Sequence, residues 1–168
     1  MPGMGKLTDE EQRFLTAANG WLELGNYEEA HQELESISLE NHLHPEVLKM
    51  RVRLFEQAGR WADAGVIAGM LTRFEPGDKF GYLYLGRSLH RLQRYPEAIK
   101  ALTTATDKFE TEWELAYQLA GSLCQSGDMK NAYVWLERAI KQAGKTDIRL
   151  QALANPDLEP LWQRLGET

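Results

Sequence analysis

The side chains that could carry chemistry are few. Cys124 is the single cysteine, His42 and His44 sit two residues apart, and Glu28, Glu29, Glu33 and Glu35 form a carboxylate-rich stretch. A nucleophilic thiol needs a base or a positive field to ionise it near neutral pH, and no sequence feature marks an activating histidine for Cys124. Two histidines in a loop fall short of the ligand number that holds zinc. The carboxylates recur as on a solvated helix face, whereas acid–base work would demand a cleft and a raised pKa. The chain has no P-loop, no dinucleotide fingerprint and no G-x-S-x-G elbow. These residues predict a protein that is not an enzyme and has no cofactor and no metal. Its function must lie in what it holds.

The feature that organises the chain is a spacing. Ala30, Ala64, Ala98 and Ala132 stand 34 residues apart. Around them one phrase returns: Gly25-Asn26-Tyr27-Glu28-Glu29-Ala30, Gly59-Arg60-Trp61-Ala62-Asp63-Ala64, Gln93-Arg94-Tyr95-Pro96-Glu97-Ala98 and Gly127-Asp128-Met129-Lys130-Asn131-Ala132. A fixed period of this length is the signature of a stacked helical array. Glycine can adopt the left-handed conformation that ends one helix and turns the chain back. The large apolar residue two places on starts the second helix, and alanine marks a close approach of two backbones. A leucine there would overpack the contact, at a cost of roughly 1–3 kcal/mol.

With Leu34, Ala68, Leu102 and Leu136, then Leu71, Ala105 and Ala139, the Leu85-Gly86 pair and Pro76, this pattern resembles the tetratricopeptide-repeat (TPR) family over about four fifths of the chain. The resemblance implies an all-α fold, a right-handed superhelix of four helix-turn-helix repeats with C-terminal capping helices. The expected organisation is a flexible lead over residues 1–8, repeats within 9–143 (about 11–44, 45–78, 79–112 and 113–146), and a capping helix and short closing helix over 147–168.

Composition agrees with one folded domain: 43% hydrophobic and 26% charged residues are ordinary for a globular chain. No apolar run approaches the roughly 20 residues of a membrane-spanning helix. The first ten residues hold no apolar run of a secretory signal, and a lone cysteine suits a reducing compartment, so the expected location is the cytoplasm. The net charge of −6 is unevenly spread. Residues 1–40 carry two basic and nine acidic side chains, 41–100 ten and six, and the remainder seven and ten. The basic middle reads either as solvated helix faces or as a patch that attracts an acidic partner.

Local signals fix the elements. Thr8 or Asp9 can cap the first helix, with Glu10 and Glu11 in its first turn. Tyr27 to Leu39 forms its mate, and Pro45 suits the first turn of the third helix. Arg51 takes a position that the family gives to apolar residues, and snorkelling at the edge is expected ahead of pairing with a carboxylate between repeats. Glu75-Pro76-Gly77-Asp78 breaks the chain. Asp147 opens a helix outside the repeat, and Asn155 with Pro156 starts a closing segment whose Leu158, Leu161 and Trp162 tuck back. A rival use for Trp162 is as an exposed anchor.

In the family, the first helices line a concave binding face. The resemblance places Leu15, Asn19 and Leu22 there, then Lys49, Met50, Arg53 and Glu56. Phe80, Leu83, Tyr84, Arg87, His90 and Arg91 follow, and Tyr117, Gln118, Gly121 and Cys124 complete the face. The expected partner-binding residues are Asn19, Lys49, Met50, Arg53, Phe80, Tyr84, Arg87, His90, Arg91 and Tyr117. Arginine forks and rigid aromatic rings together suit an acidic peptide or protein surface, unless the cations are consumed by local carboxylates such as Glu46 and Glu56. The two-repeat carboxylate clamp of some TPR proteins is matched at Asn19 but not at Leu15 or Met50. The ending Pro156 to Trp162 resembles that of bacterial kinesin light chains, which implies an adaptor for a tubulin-like filament. Other readings are a co-chaperone or assembly factor, or a nucleic-acid-binding helical repeat, although net acidity opposes the last. A membrane partner carries no sequence signal, and the oligomeric state is open.

Overall fold

The computed structural model describes residues 5–144 and 147–166. The fold is all-α, and no strand occurs among the described residues. The helices are α1 (Asp9–Glu23), α2 (Tyr27–Glu35), α3 (Pro45–Gln57), α4 (Trp61–Phe74), α5 (Lys79–Arg91), α6 (Tyr95–Lys108), α7 (Trp113–Gln125), α8 (Met129–Ala143), α9 (Ile148–Leu153) and α10 (Trp162–Gly166). Short 3₁₀ turns cover Leu39–Asn41 and Pro156–Leu161. The chain divides into two compact units, Met1–Tyr84 and Leu85–Thr168, with the division inside α5.

The four turns between paired helices are built alike. Gly25, Gly59, Gln93 and Gly127 have φ of 76°, 72°, 58° and 91°, all in the left-handed region. The amides that follow reach back across the helix end: Asn26 to the Trp21 carbonyl at 2.9 Å, Arg60 to Phe55 at 2.7 Å, Arg94 to Leu89 at 2.9 Å and Asp128 to Leu123 at 3.0 Å. Each is the wide bond of a Schellman cap, which satisfies carbonyls left over at the helix end. Three turns use glycine for this; Gln93 adopts the same conformation with a side chain.

The alanines lie where the helices meet. Ala64, Ala98 and Ala132 are 0% exposed and Ala30 is 1% exposed. Leu34, Leu102 and Leu136 are equally buried one turn later. Two glycines mark further close approaches. A Cβ on Gly81 would lie 2.8 Å from the Thr72 backbone nitrogen, and one on Gly86 would lie 2.6 Å from the Leu102 Cγ.

The first unit departs from expectation in four places. Residues 1–4 of the expected flexible lead lie outside the described residues, but Leu7 is buried in the core and Thr8 closes a capping box with Glu11. The second helix ends at Glu35 rather than Leu39, and Ile37 beyond it is buried. Arg51 does not snorkel. Its Nη1 donates to Glu35 Oε1 at 2.8 Å and its Nη2 to the Leu34 carbonyl at 3.4 Å, at the C-terminal end of α2, where a cation is favoured. Leu22, placed on the open face by the resemblance, is 2% exposed and belongs to the core.

Glu11 ties this unit's start to the turn after α2. Its carboxylate accepts hydrogen bonds from Ser38, from Asn41 Nδ2 at 2.9 Å and from the Thr8 amide at 2.9 Å. These donors, Ser38 first, then Asn41 and Thr8, outweigh burial and hold its pKa down at about 2, against 4.5 for an ordinary glutamate. A depressed folded-state pKa contributes stability that is present above the unfolded value and lost as pH falls toward the folded one. Glu11→Gln should therefore lower the melting temperature at pH 7 and flatten its fall between pH 4.5 and 2. Thermal melts followed by circular dichroism over that range check both effects.

Candidate functional site

The predicted groove residues fall into the two units and meet different fates. In the first unit, Lys49 is enclosed by carboxylates: Asp78 at 2.7 Å, Glu75 at 2.9 Å and Glu46 at 3.2 Å. Burial disfavours its ammonium, but the hydrogen bonds to Asp78, Glu75 and Glu46 together outweigh burial and raise its pKa above the ordinary lysine value. Lys49 thus pins α3 to the turn before α5. Phe80 and Tyr84 stack one helical turn apart, with ring centroids 4.2 Å apart, and the Lys49 ammonium lies 6.0 Å from the Phe80 ring. Asn19 donates to Glu23 at 2.7 Å, Met50 packs on the core, and Arg53 is half-exposed.

In the second unit, Arg87, His90, Arg91 and Tyr117 come together around a pocket of about 250 Å³. Its walls are completed by Trp113, Glu114, Gln118 and Gly121, and by Gln151, Asn155 and Asp157 from beyond the repeats. Trp113 and Tyr117 form an aromatic corner, their rings 78° apart with centroids at 6.5 Å. This is the size and make-up of a side-chain or small-ligand pocket, a little below the usual range of drug-sized sites.

The far wall is the closing segment. Asn155 caps its turn, accepting from the Asp157 amide at 3.1 Å, and donates to the Tyr117 hydroxyl at 3.1 Å. Gln125 donates to the Asp157 carbonyl at 2.8 Å. Leu158 and Leu161 are 0% and 3% exposed, and Trp162 donates from Nε1 to the Ala152 carbonyl at 2.9 Å. Trp162 is half-buried and held, which is not the posture of an exposed anchor. Gly121 and Cys124 are both buried; Gly121 lines the pocket beside His90, and Cys124 does not line it.

His90 joins three elements. Its Nδ1 lies 3.0 Å from Ser122 Oγ and its Nε2 lies 3.1 Å from Asp157 Oδ2. A serine, a histidine and an aspartate in line is the arrangement of a hydrolytic triad, but Ser122 is 0% exposed in mid-helix. No substrate carbonyl can reach its hydroxyl, and interior helix amides are already bonded and cannot form an oxyanion hole. The array therefore serves to position the closing segment. Burial, and then the Asp157 charge, push the Cys124 thiol pKa up, which disfavours its thiolate.

His42 and His44 in the first unit are likewise in structural use. His42 Nε2 lies 2.8 Å from the Ile37 carbonyl, and His44 Nδ1 accepts from the Glu46 amide at the start of α3. Among the described residues, no group of three or more His, Cys, Asp or Glu could hold a metal ion, and no helix is long and apolar enough to cross a membrane.

The comparisons with known proteins fit this architecture. The tetratricopeptide repeat family matches residues 89–155, less than half of the chain. Solved structures agree over nearly all of it. A TPR protein of Thermus thermophilus, TTC0263, superposes with TM-score 0.73 at 22% identity, covering 93% of this chain and 83% of its own. MamA of Desulfovibrio magneticus reaches 0.75 at 14% identity, covering 96% of each. YrrB, described as a TPR protein with an unusual peptide-binding site, gives 0.73 at 14% identity over 86% of this chain and 75% of its own. The fold is a tetratricopeptide-repeat fold. No curated protein matches the chain.

Sequence reasoning missed Asn155, Asp157, Ser122 and Trp113 as parts of this site. A signal was present: at the register position of Asn19, Arg53 and Arg87 the fourth repeat has Gly121. Gly121 lines the pocket next to the His90 ring. A Cβ on Gly121 would meet only His90 Cε1, at 3.8 Å, an ordinary contact. Gly121→Ala should therefore be tolerated, whereas Gly121→Arg must force its side chain past the His90 ring from a buried position and should destabilise by roughly 1–3 kcal/mol, the usual cost of overpacking. Denaturant unfolding of the two variants checks the contrast.

Proposed function

We propose that this chain is a non-enzymatic interaction scaffold, and that the α5–α7 face of its second unit binds a short acidic segment of a protein partner. The observation that carries the reading is the pocket itself. Arg87 and Arg91, one helical turn apart, flank the aromatic corner of Trp113 and Tyr117. Guanidinium groups suit carboxylates through paired hydrogen bonds, and rigid aromatic rings give contact area at little cost in conformational freedom. His90 takes the role of a support, because both of its ring nitrogens are engaged.

Lys49 is left out of the binding set because three carboxylates enclose it. A peptide as ligand class is in keeping with the peptide-binding site of YrrB, a structural neighbour. The likeness to bacterial kinesin light chains rests on the ending from Pro156 to Trp162. Packing of Leu158 and Leu161 accounts for that ending, so the proposal does not extend to a tubulin-like filament.

Selection of displayed random peptides on the immobilised full chain tests this. Recovered peptides should be rich in Asp and Glu. Their affinity should fall at least about tenfold, or about 1.4 kcal/mol, for Tyr117→Ala and for the Arg87→Glu, Arg91→Glu double variant, with unchanged circular dichroism. Peptides without acidic enrichment, or binding that both variants retain, would count against the reading.

A further inference from the structure

In the second unit the fourth repeat's part of the binding face is already occupied. Residues Asn155 to Leu158 lie on α7 as a bound peptide would. Asn155 bonds the Tyr117 hydroxyl, the Asp157 carboxylate meets His90 Nε2, the Asp157 carbonyl accepts from Gln125, and Leu158 is fully buried. The neighbouring Pro156, Glu159 and Pro160 are exposed. The face beneath is prepared for this occupant: Ser122 holds the His90 ring so that one nitrogen points at the carboxylate.

We propose that this face recognises a class of segment, an Asn-Pro turn that presents a carboxylate and then a leucine. The chain's own residues 155–158 are the resident member of that class, and a partner segment of the same chemistry binds by taking their place. This rests on the reading of the α5–α7 face as a peptide-binding surface, and it adds the recognition pattern and its regulation.

Two physical arguments support exchange. First, an incoming segment of this class remakes the contacts it breaks: His90 keeps a carboxylate, Tyr117 keeps an amide donor, and the leucine site stays filled. No buried polar group is left unpaired, which is the costly outcome of a one-sided loss. Second, the resident segment competes from within the chain, at an effective concentration far above that of a free peptide. The resident therefore sets the threshold a partner must exceed. The pocket beside it, lined by Arg87, Arg91 and Trp113, extends the surface that such a partner can contact.

The probe is a fluorescein-labelled synthetic peptide of residues 152–162, titrated against the full chain and read by anisotropy. The protein variant Asp157→Ala weakens the resident and leaves the face intact. It should bind the peptide at least tenfold more tightly than the unsubstituted protein does, and the same peptide carrying Asp157→Ala should bind neither. Equal binding by both proteins, or by neither, would overturn the proposal. If Asp157→Ala does not unfold cooperatively, Asn155→Ala takes its place. Loss of cooperative folding in both also overturns it, since a segment the fold cannot release cannot be exchanged. Because the probe comes from this chain, it can bind while the selection of acidic peptides fails, and the reverse, so the two readings fail separately.

Discussion

The contact at Ala30, Ala64, Ala98 and Ala132 is the constraint on which the rest depends. In each helix pair, the second helix comes so close to its neighbours that one methyl group fills the available space, and these residues are essentially unexposed. Such an approach is possible only if the preceding turn returns the chain at a fixed angle. The left-handed residue at 25, 59, 93 and 127 and its Schellman bonds supply that angle. Contact and turn recur together, so each pair presents the same register position to the same surroundings. Gly81 and Gly86 extend the rule to α5, where a Cβ would meet backbone in one case and a buried leucine in the other.

A repeated frame does not impose repeated chemistry. Asn19, Arg53, Arg87 and Gly121 share one register position, and Leu15, Lys49, Leu83 and Tyr117 share another. Lys49 is spent on joining α3 to the turn that ends the second repeat, a structural ion-pair cluster in place of a ligand contact. Arg87, Tyr117 and Gly121 border a pocket whose far wall is the chain's own closing segment. The array thus divides its groove positions between holding itself together and facing a pocket. Terminal repeats of stacked arrays need a cap over their apolar flank. Here the cap also supplies Asn155 and Asp157 as part of the wall of the candidate site.

The architecture was legible because its causes are local. A turn residue, a large apolar residue two places on and alanine three places later act within one helix pair, and a period of 34 repeats them four times. What was not legible depends on pairs far apart in the chain. His90 meets Ser122 32 residues on and Asp157 67 residues on, and Lys49 meets Glu75 and Asp78 from the far side of α4. Arg51 was misplaced for a related reason: its hydrophobic-looking position faces the end of α2, where a carbonyl and Glu35 await a cation. Hydropathy marks a position as facing a neighbour, but it does not say which polar groups the neighbour offers.

The claim that the second unit's α5–α7 face is the binding surface can be tested by mapping backbone amide shifts of the full chain as a selected acidic peptide is added. The account predicts that shifts concentrate on residues 87–91, on 113–118 and on 155–158, with α8 unaffected. Shifts centred on α8 or on the first unit, with those three stretches unchanged, would contradict it.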